Sequence, residues 1–281
     1  MTDRFENVLY SVASGIARIT KNNPDQVIGG TLRPNALNQG MVRDLVAALE
    51  MAGNDQAVRV IIIDAAGQGI HCGAGSIGNI LREGTPSMML QAIRRGQALT
   101  QLIEAIPKPV IYKIGAYATG GGCEMSYACD FVYADETATL EQGEIAIGII
   151  PGWGGTQRLP RLAGLRKATE IIMLGEKIGA REAEALGIIT RAVPGDQLEG
   201  AVWTLALKLA AKAPIGLELA KRAIRAGLET NLGTGLAFEA VLEALTMTSD
   251  QPAEAVRART EQRDPDFKPE RRLTPGEHEW R

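Results

Sequence analysis

The stretch at residues 108–130, KPVIYKIGAYATGGGCEMSYACD, restricts the fold of this chain more than any other. Pro109 to Ile114 is apolar and rich in β-branched residues over a strand's length. Three glycines follow at 120–122, and Met125, Ala128 and Cys129 then fall at helical spacing. The pattern predicts strand, turn, helix. Three glycines strip the turn of side chains, which has two uses: a ligand oxygen can approach the N–H groups that open the helix, or the helix can lie close against a sheet. Glu124 follows in the first helical turn. Such pre-aimed donors suit a reaction in which a carbonyl oxygen gains negative charge, where losing one donor costs roughly 3 to 4 kcal/mol of transition-state stabilisation. No Gly-Lys-Ser/Thr follows the glycines and the G-x-G-x-x-G spacing is absent, so the loop does not resemble a nucleotide phosphate loop.

The flanking sequence supports an α/β fold. Residues 7–20 read as two strands joined around Ser14-Gly15. Residues 22–34 are turn-rich, and Met41 to Met51 puts Val42, Leu45, Val46 and Leu49 on one helical face. Val58 to Asp64 is a nearly continuous apolar run, as expected of a strand buried on both faces. Residues 88–105 return to helical spacing, and Phe131 to Ala134 is a further short strand. The β-then-α alternation with glycine-rich loops predicts stacked ββα units, with no sequence repeat. We expect a core domain over residues 1–195, a helical carboxy-terminal region over 196–263 with three helices, and an extended tail over 264–281.

Composition removes several function classes. A net charge of −3 without a long basic run argues against nucleic acid as the main partner. No apolar run approaches a membrane span, and MTDRFENVLY lacks the basic-then-apolar profile of a secretory leader, so the expectation is a cytoplasmic protein. Cys72, Cys123 and Cys129 form no metal-ligand pattern. With only His71 and His278 present, a histidine zinc site or a Ser-His-Asp triad has little raw material. His71 is expected to be structural or pocket-lining. A second acidic candidate, Glu144, opens the apolar run of EQGEIAIGIIPGWGGTQRLP (141–160), which breaks at Pro151 before Gly152, Gly154 and Gly155 lead toward another helix. Spacing alone does not bring Glu124 and Glu144 together.

Several blocks together resemble the crotonase superfamily, and within it the enoyl-CoA hydratases. They are NALN at 35–38, VRVIIIDAAG at 58–67, CGAG at 72–75, the 108–130 stretch, and GEIAIGIIPGWGGTQRLPRLAG at 143–164. The resemblance weakens after about residue 195. It implies a spiral of ββα units whose helical carboxy-terminal region builds a homotrimer or homohexamer. By position, Gly121 looks like one oxyanion-hole donor and Ala74 like the other, with Gly75 taking that place if the match shifts by one residue. Glu124 and Glu144 match both glutamates that act in hydration, whereas the isomerase branch commonly works with only the second.

The resemblance therefore implies a lyase that adds water across the 2,3 double bond of an enoyl-CoA thioester. It implies no metal or redox cofactor, coenzyme A being part of the substrate. The alternative within the fold is an isomerase or hydrolase of a specialised, cyclic or oxidised, acyl-CoA. The alternative of another class is a non-catalytic acyl-CoA or RNA-binding protein, supported by the basic residues Lys212, Lys221, Arg222 and Arg225 alone. Four departures from the family bear on substrate. The loop between Pro24 and Asn35 is about seven residues longer, near the expected CoA entrance. No acidic residue follows Ala74, Asp264 replaces a common basic residue in EQRDPDF, and His71 and Trp153 stand at pocket-adjacent places.

Overall fold

The computed structural model describes residues 5–28, 30–73 and 84–267. The chain opens on a hairpin, β1 (Val8–Ala13) and β2 (Ile16–Lys21), turned through Ser14 at φ 53° and Gly15 at φ 74°. Two successive left-handed residues match the twist of the flanking strands, which is why a Ser-Gly pair serves there. A second, very short hairpin, β3 (Val27–Ile28) and β4 (Thr31–Leu32), occupies the turn-rich segment. Asn35, at φ 53° and fully buried, anchors its base: its carboxamide oxygen accepts from Asn23 N at 2.8 Å, and its Nδ2 donates to Ala66 O and Ile70 O, each at 3.1 Å.

Two sheets then grow side by side. The larger takes β5 (Val60–Ala65), β7 (Val110–Ile114), β9 (Phe131–Asp135) and β12 (Arg191–Val193) parallel to β2, in the order β1-β2-β5-β7-β9-β12. The smaller holds β6 (Ile70–His71), β8 (Tyr117–Thr119), β10 (Thr139–Glu141) and β11 (Lys177–Gly179), in the order β11-β10-β8-β6. β5 is followed by β6, β7 by β8 and β9 by β10, so each turn of the chain lays one strand in each sheet. Helices close the turns: α1 (Gln39–Asn54), α2 (Pro86–Ala105), α3 (Gly121–Ala128), α4 (Gly155–Leu174) and α5 (Ala180–Ala185). This is the spiral of ββα units that the sequence predicts.

Burial explains the apolar run of β5. Ile61 and Ile63 join the main core with Leu45 and Leu49 of α1, Leu99 and Ile103 of α2, and Tyr112. Val60 and Ile62 point the other way, onto Leu198, Val202 and Ala206 of α6 (Gly195–Ala210). At about 1.5 to 3 kcal/mol for each large side chain removed from water, both faces contribute heavily.

The carboxy-terminal region holds four helices among the described residues, not three: α6, α7 (Pro214–Gly227), α8 (Leu232–Met247) and α9 (Gln251–Thr260). Pro214 opens α7 after a break at 211–213, and α8 and α9 are separate helices as well, so the three breaks that the sequence shows at Pro214, near Gly233–Gly235 and at Pro252 divide the region into four. α6 lies flat on the larger sheet, so helical residues beyond 195 complete the core. Of the expected tail, residues 264–267 lie outside any helix or strand, with Phe267 O accepting from Arg59 Nη1 at 2.8 Å. The tail from residue 268 lies outside the described residues.

Half of the basic cluster is engaged within the fold. Lys221 Nζ pairs with Asp130 at 2.7 Å and donates to Ile103 O and Lys108 O, at 3.0 and 3.1 Å. Arg225 binds Glu104 and Asp130, each at 2.9 Å, and Ala128 O at 2.6 Å. Two of the four cations thus tie α7 to α2 and to the end of α3, and Arg222 pairs with Glu218 at 2.8 Å.

Candidate active site

Each glycine of the 120–122 run is required for its own reason. Gly120 has φ 52° and ψ −125°, a conformation that L side chains rarely adopt, and an added Cβ would lie 3.0 Å from Glu144 Oε1. On Gly121 a Cβ would meet the Trp153 ring at 3.1 Å and Leu37 Cδ1 at 3.2 Å. On Gly122 it would lie 2.1 Å from the carbonyl oxygen of His71. Both uses of a glycine turn therefore coexist: close packing of α3 on β6 at Gly122, and an open helix start at Gly121. The first N–H groups of an α-helix have no acceptor within the helix, which leaves the Gly121 amide available to a ligand at the positive end of the helix dipole.

Gly73 brings a second piece of backbone to this point. A Cβ there would lie 3.0 Å from Gly121 N, and Gly73 O accepts from Leu37 N at 3.3 Å. The chain running toward Ala74 thus passes beside the Gly121 amide. Ala74 and Gly75 themselves lie outside the described residues.

Glu124 is only 2% exposed, on a helix whose eight residues are all buried. Its Oε1 accepts from Trp153 N at 2.7 Å and Gly155 N at 2.8 Å. That seat fixes one carboxyl oxygen and leaves Oε2 for other partners. The segment supplying it is itself pinned. Gln97 Nε2 donates to Gly152 O at 2.9 Å, while Thr100 Oγ1 and Arg158 Nη1 both donate to Trp153 O at 3.0 Å. Arg158 in turn forks onto Glu104 of α2 at 2.7 and 2.6 Å. Gly154, at φ 114°, lets the chain turn so that the amides of 153 and 155 face one oxygen.

Glu144 sits in a 3₁₀ turn, Gly143–Ile147, directly after β10. Gln142 Nε2 donates to its Oε2 at 3.1 Å and its Oε1 at 3.3 Å. Gly120 is the hinge between the two acids: Glu144 Oε1 borders its Cα side, and its carbonyl accepts from Glu124 N at 3.0 Å. Burial pushes the Glu124 carboxyl up to about 7 against the pull of its two amides, and the nearby charge of Glu144 adds to the rise. Glu144 is raised as well, again by burial first. The charge of Glu144 is thus felt at Glu124, and two carboxyl groups that interact in this way titrate as a pair. The amides at Glu124 Oε1 pull against its rise, since a carboxylate accepts from them more strongly than a carboxylic acid does.

His71 is fully buried, its Nε2 2.8 Å from Lys113 O and its ring 4.5 Å from that of Tyr112. Burial holds it well below the usual imidazole range. Its side chain serves the core behind the site, while its carbonyl receives Gly122. The sequence reading missed the seat of Glu124 and the carboxamide of Gln142. The run Gly152-Trp153-Gly154-Gly155 was the available signal for the first, since so many glycines permit backbone amides to converge. Among the described residues no cluster of three or more His, Cys, Asp or Glu side chains could hold a metal ion, and no helix is long and apolar enough to cross a membrane.

The family model described as Enoyl-CoA hydratase/isomerase matches residues 11–270. The chain belongs to this family. Among relatives, the 2,3-dehydroadipyl-CoA hydratase of Escherichia coli is 36% identical over 83% of this chain and 90% of its own length. The crotonyl-CoA hydratase of Syntrophomonas wolfei is 30% identical over 94% of this chain and 98% of its own. The crystal structure of an enoyl-CoA hydratase from Bacillus anthracis superposes with a TM-score of 0.86 at 32% identity, covering 94% of this chain and all of that one. The ββα spiral is thus the crotonase fold, and this enoyl-CoA hydratase/isomerase family member is an enzyme of a family that acts on acyl-CoA thioesters.

Proposed function

We propose that this family member hydrates a 2-enoyl-CoA thioester to the 3-hydroxyacyl-CoA. The observation that carries the reading is the pair of acids at the start of α3, one seated by two amides and the other against Gly120. The thioester oxygen accepts from Gly121 N–H and, by the family match, from Ala74 N–H. Drawing charge onto that oxygen makes C3 electrophilic, and the water oxygen adds there. Glu124, ionised, takes a proton from the water as the new C–O bond forms. Glu144, protonated, gives its proton to C2 as the enolate collapses, and a proton moving from Glu124 back to Glu144 resets the pair. Acid-base assistance of this kind commonly contributes about 10² to 10⁴ in rate. The residues alone complete the step, so we assign no metal or redox cofactor, and CoA enters as part of the substrate.

Turnover of crotonyl-CoA by the purified protein tests the reading. Isomerisation or thioester hydrolysis in place of hydration would replace it with the neighbouring chemistries of the fold. The active form carries one proton on the pair, so kcat/KM is expected to fall on both sides of an optimum, as the pair gains a second proton in acid and loses its last in alkali. A pH profile that is flat between about 5 and 9 would refute the shared proton.

The free thiols Cys72, Cys123 and Cys129 fit a reducing, cytoplasmic setting. A trimer, or a dimer of trimers, accounts for the apolar side chains that α8 leaves in water, among them Leu232 (78% exposed), Leu236, Val241 and Met247. Light scattering at micromolar concentration is expected to return a trimeric or hexameric mass, and a monomer would overturn this assignment.

A further inference from the structure

The Trp153 indole fills a slot bounded by three elements. A Cβ on Gly96 of α2 would lie 1.9 Å from its Cε2 and 2.2 Å from its Nε1, so the ring lies flat against the bare backbone of that helix. Its opposite edge, Cε3 and Cζ3, reaches the Cα side of Gly121, where Leu37 Cδ1 closes the third wall. The backbone of the residue is held in place, because its N–H donates to Glu124 and its carbonyl is clamped by Thr100 and Arg158. The preceding Gly152 is covered by Ile93, also from α2. Trp153 keeps about 9% of its surface open. A rigid ring therefore stands beside both the amide that would bind the thioester oxygen and the acid that would handle the water.

We infer that Trp153 limits the length of the acyl group, admitting short unbranched chains and turning away long ones. The inference rests on the hydratase reading for where the thioester sits. With its oxygen on Gly121 N–H and C3 beside Glu124, an acyl chain meets the indole and Ile93 within its next few carbons. Gly96 is a positioning residue here: its missing side chain is what lets the indole tuck against α2, and any larger residue drives the ring toward the site.

The test uses binding of saturated thioesters, which are not hydrated, so its outcome is separate from that of the crotonyl-CoA assay. Dissociation constants for butanoyl-CoA and octanoyl-CoA are measured on the full chain and on Trp153→Ala. The wild type is expected to favour butanoyl-CoA at least tenfold, and the variant to shift that ratio at least tenfold toward octanoyl-CoA. An unchanged ratio overturns the inference. Trp153→Phe carries the same criterion, with a smaller shift, if the alanine variant fails to fold. Gly96→Ala supplies an independent arm: it is expected to weaken butanoyl-CoA binding in the wild type and to have less than a twofold effect beside Trp153→Ala. Equal weakening in both backgrounds would show that Gly96 does not act through the ring, and would also overturn it.

Discussion

Glu124→Gln and Glu144→Gln are each expected to lower hydration of crotonyl-CoA at least a hundredfold while leaving acyl-CoA binding nearly intact. A hundredfold corresponds to about 2.7 kcal/mol of transition-state stabilisation, within the span that a positioned acid or base supplies. The carboxamide introduced by the first substitution would retain an oxygen for the amides of Trp153 and Gly155, so the seat survives while the base is lost. Unchanged turnover in either variant would remove its acid-base role. The first variant has a second signature. A carboxyl raised from 4.5 to about 7 contributes stability that is fully present below pH 4.5 and is lost as pH rises through about 7. At about 1.4 kcal/mol per pH unit, ionising Glu124 in the folded chain at pH 8 costs roughly 3 kcal/mol. Glu124→Gln is therefore expected to raise the unfolding temperature at pH 8 and to change it little at pH 4. Equal shifts at both pH values would show that the carboxyl is not strained by burial.

Gly122→Ala is expected to be strongly destabilising, because the obstacle that its methyl group meets is backbone. The new Cβ would lie 2.1 Å from a backbone oxygen of β6, and β6 cannot retreat without breaking its pairing of Ile70 with Tyr117 and His71 with Ala118. Overpacking a rigid site typically costs about 1 to 3 kcal/mol and sometimes more, and a backbone obstacle puts this case at the upper end, roughly 3 kcal/mol. For a chain this long that is a fall of roughly 6 to 12 °C in unfolding temperature. Gly200→Ala is the control: it lies in α6, nothing stands within 4 Å of the added Cβ, and a gain of up to about 1 kcal/mol is expected. If the two variants unfolded alike, the close approach of α3 to β6 would not matter to stability.

Much of the framework was legible because burial leaves a local trace. The apolar run of β5, the face of α1 and the Ser14-Gly15 turn each say what they are within a few residues. The glycines at 120–122 also declared themselves, although only the coordinates separate the packing need at Gly122 from the open amide at Gly121. Meetings between distant backbone groups left no such trace. Nothing in the identity of Trp153 announces that its N–H serves a carboxylate 29 residues earlier. That depends on the path through Gly154, and on Arg158 and Thr100 holding a carbonyl. The basic residues of α7 misled for a related reason: helical spacing tells which cations share a side, but Asp130 and Glu104, which neutralise Lys221 and Arg225, come from other parts of the chain. The break before α7 was legible at Pro214, which cannot continue a helix through its own position.

The spiral has a consequence for how such a protein can diversify. The Gly121 amide and Glu124 ride on one coil of the winding, Glu144 on the next, and both coils are welded by parallel pairing of β8 with β10. The segment with the additional hairpin, β3 and β4, hangs from an earlier coil through the Asn35 anchor. The groups we assign to the reaction and the outer decoration thus occupy separate storeys of one staircase, and the decoration can be lengthened, trimmed or exchanged while the steps that hold those groups keep their spacing.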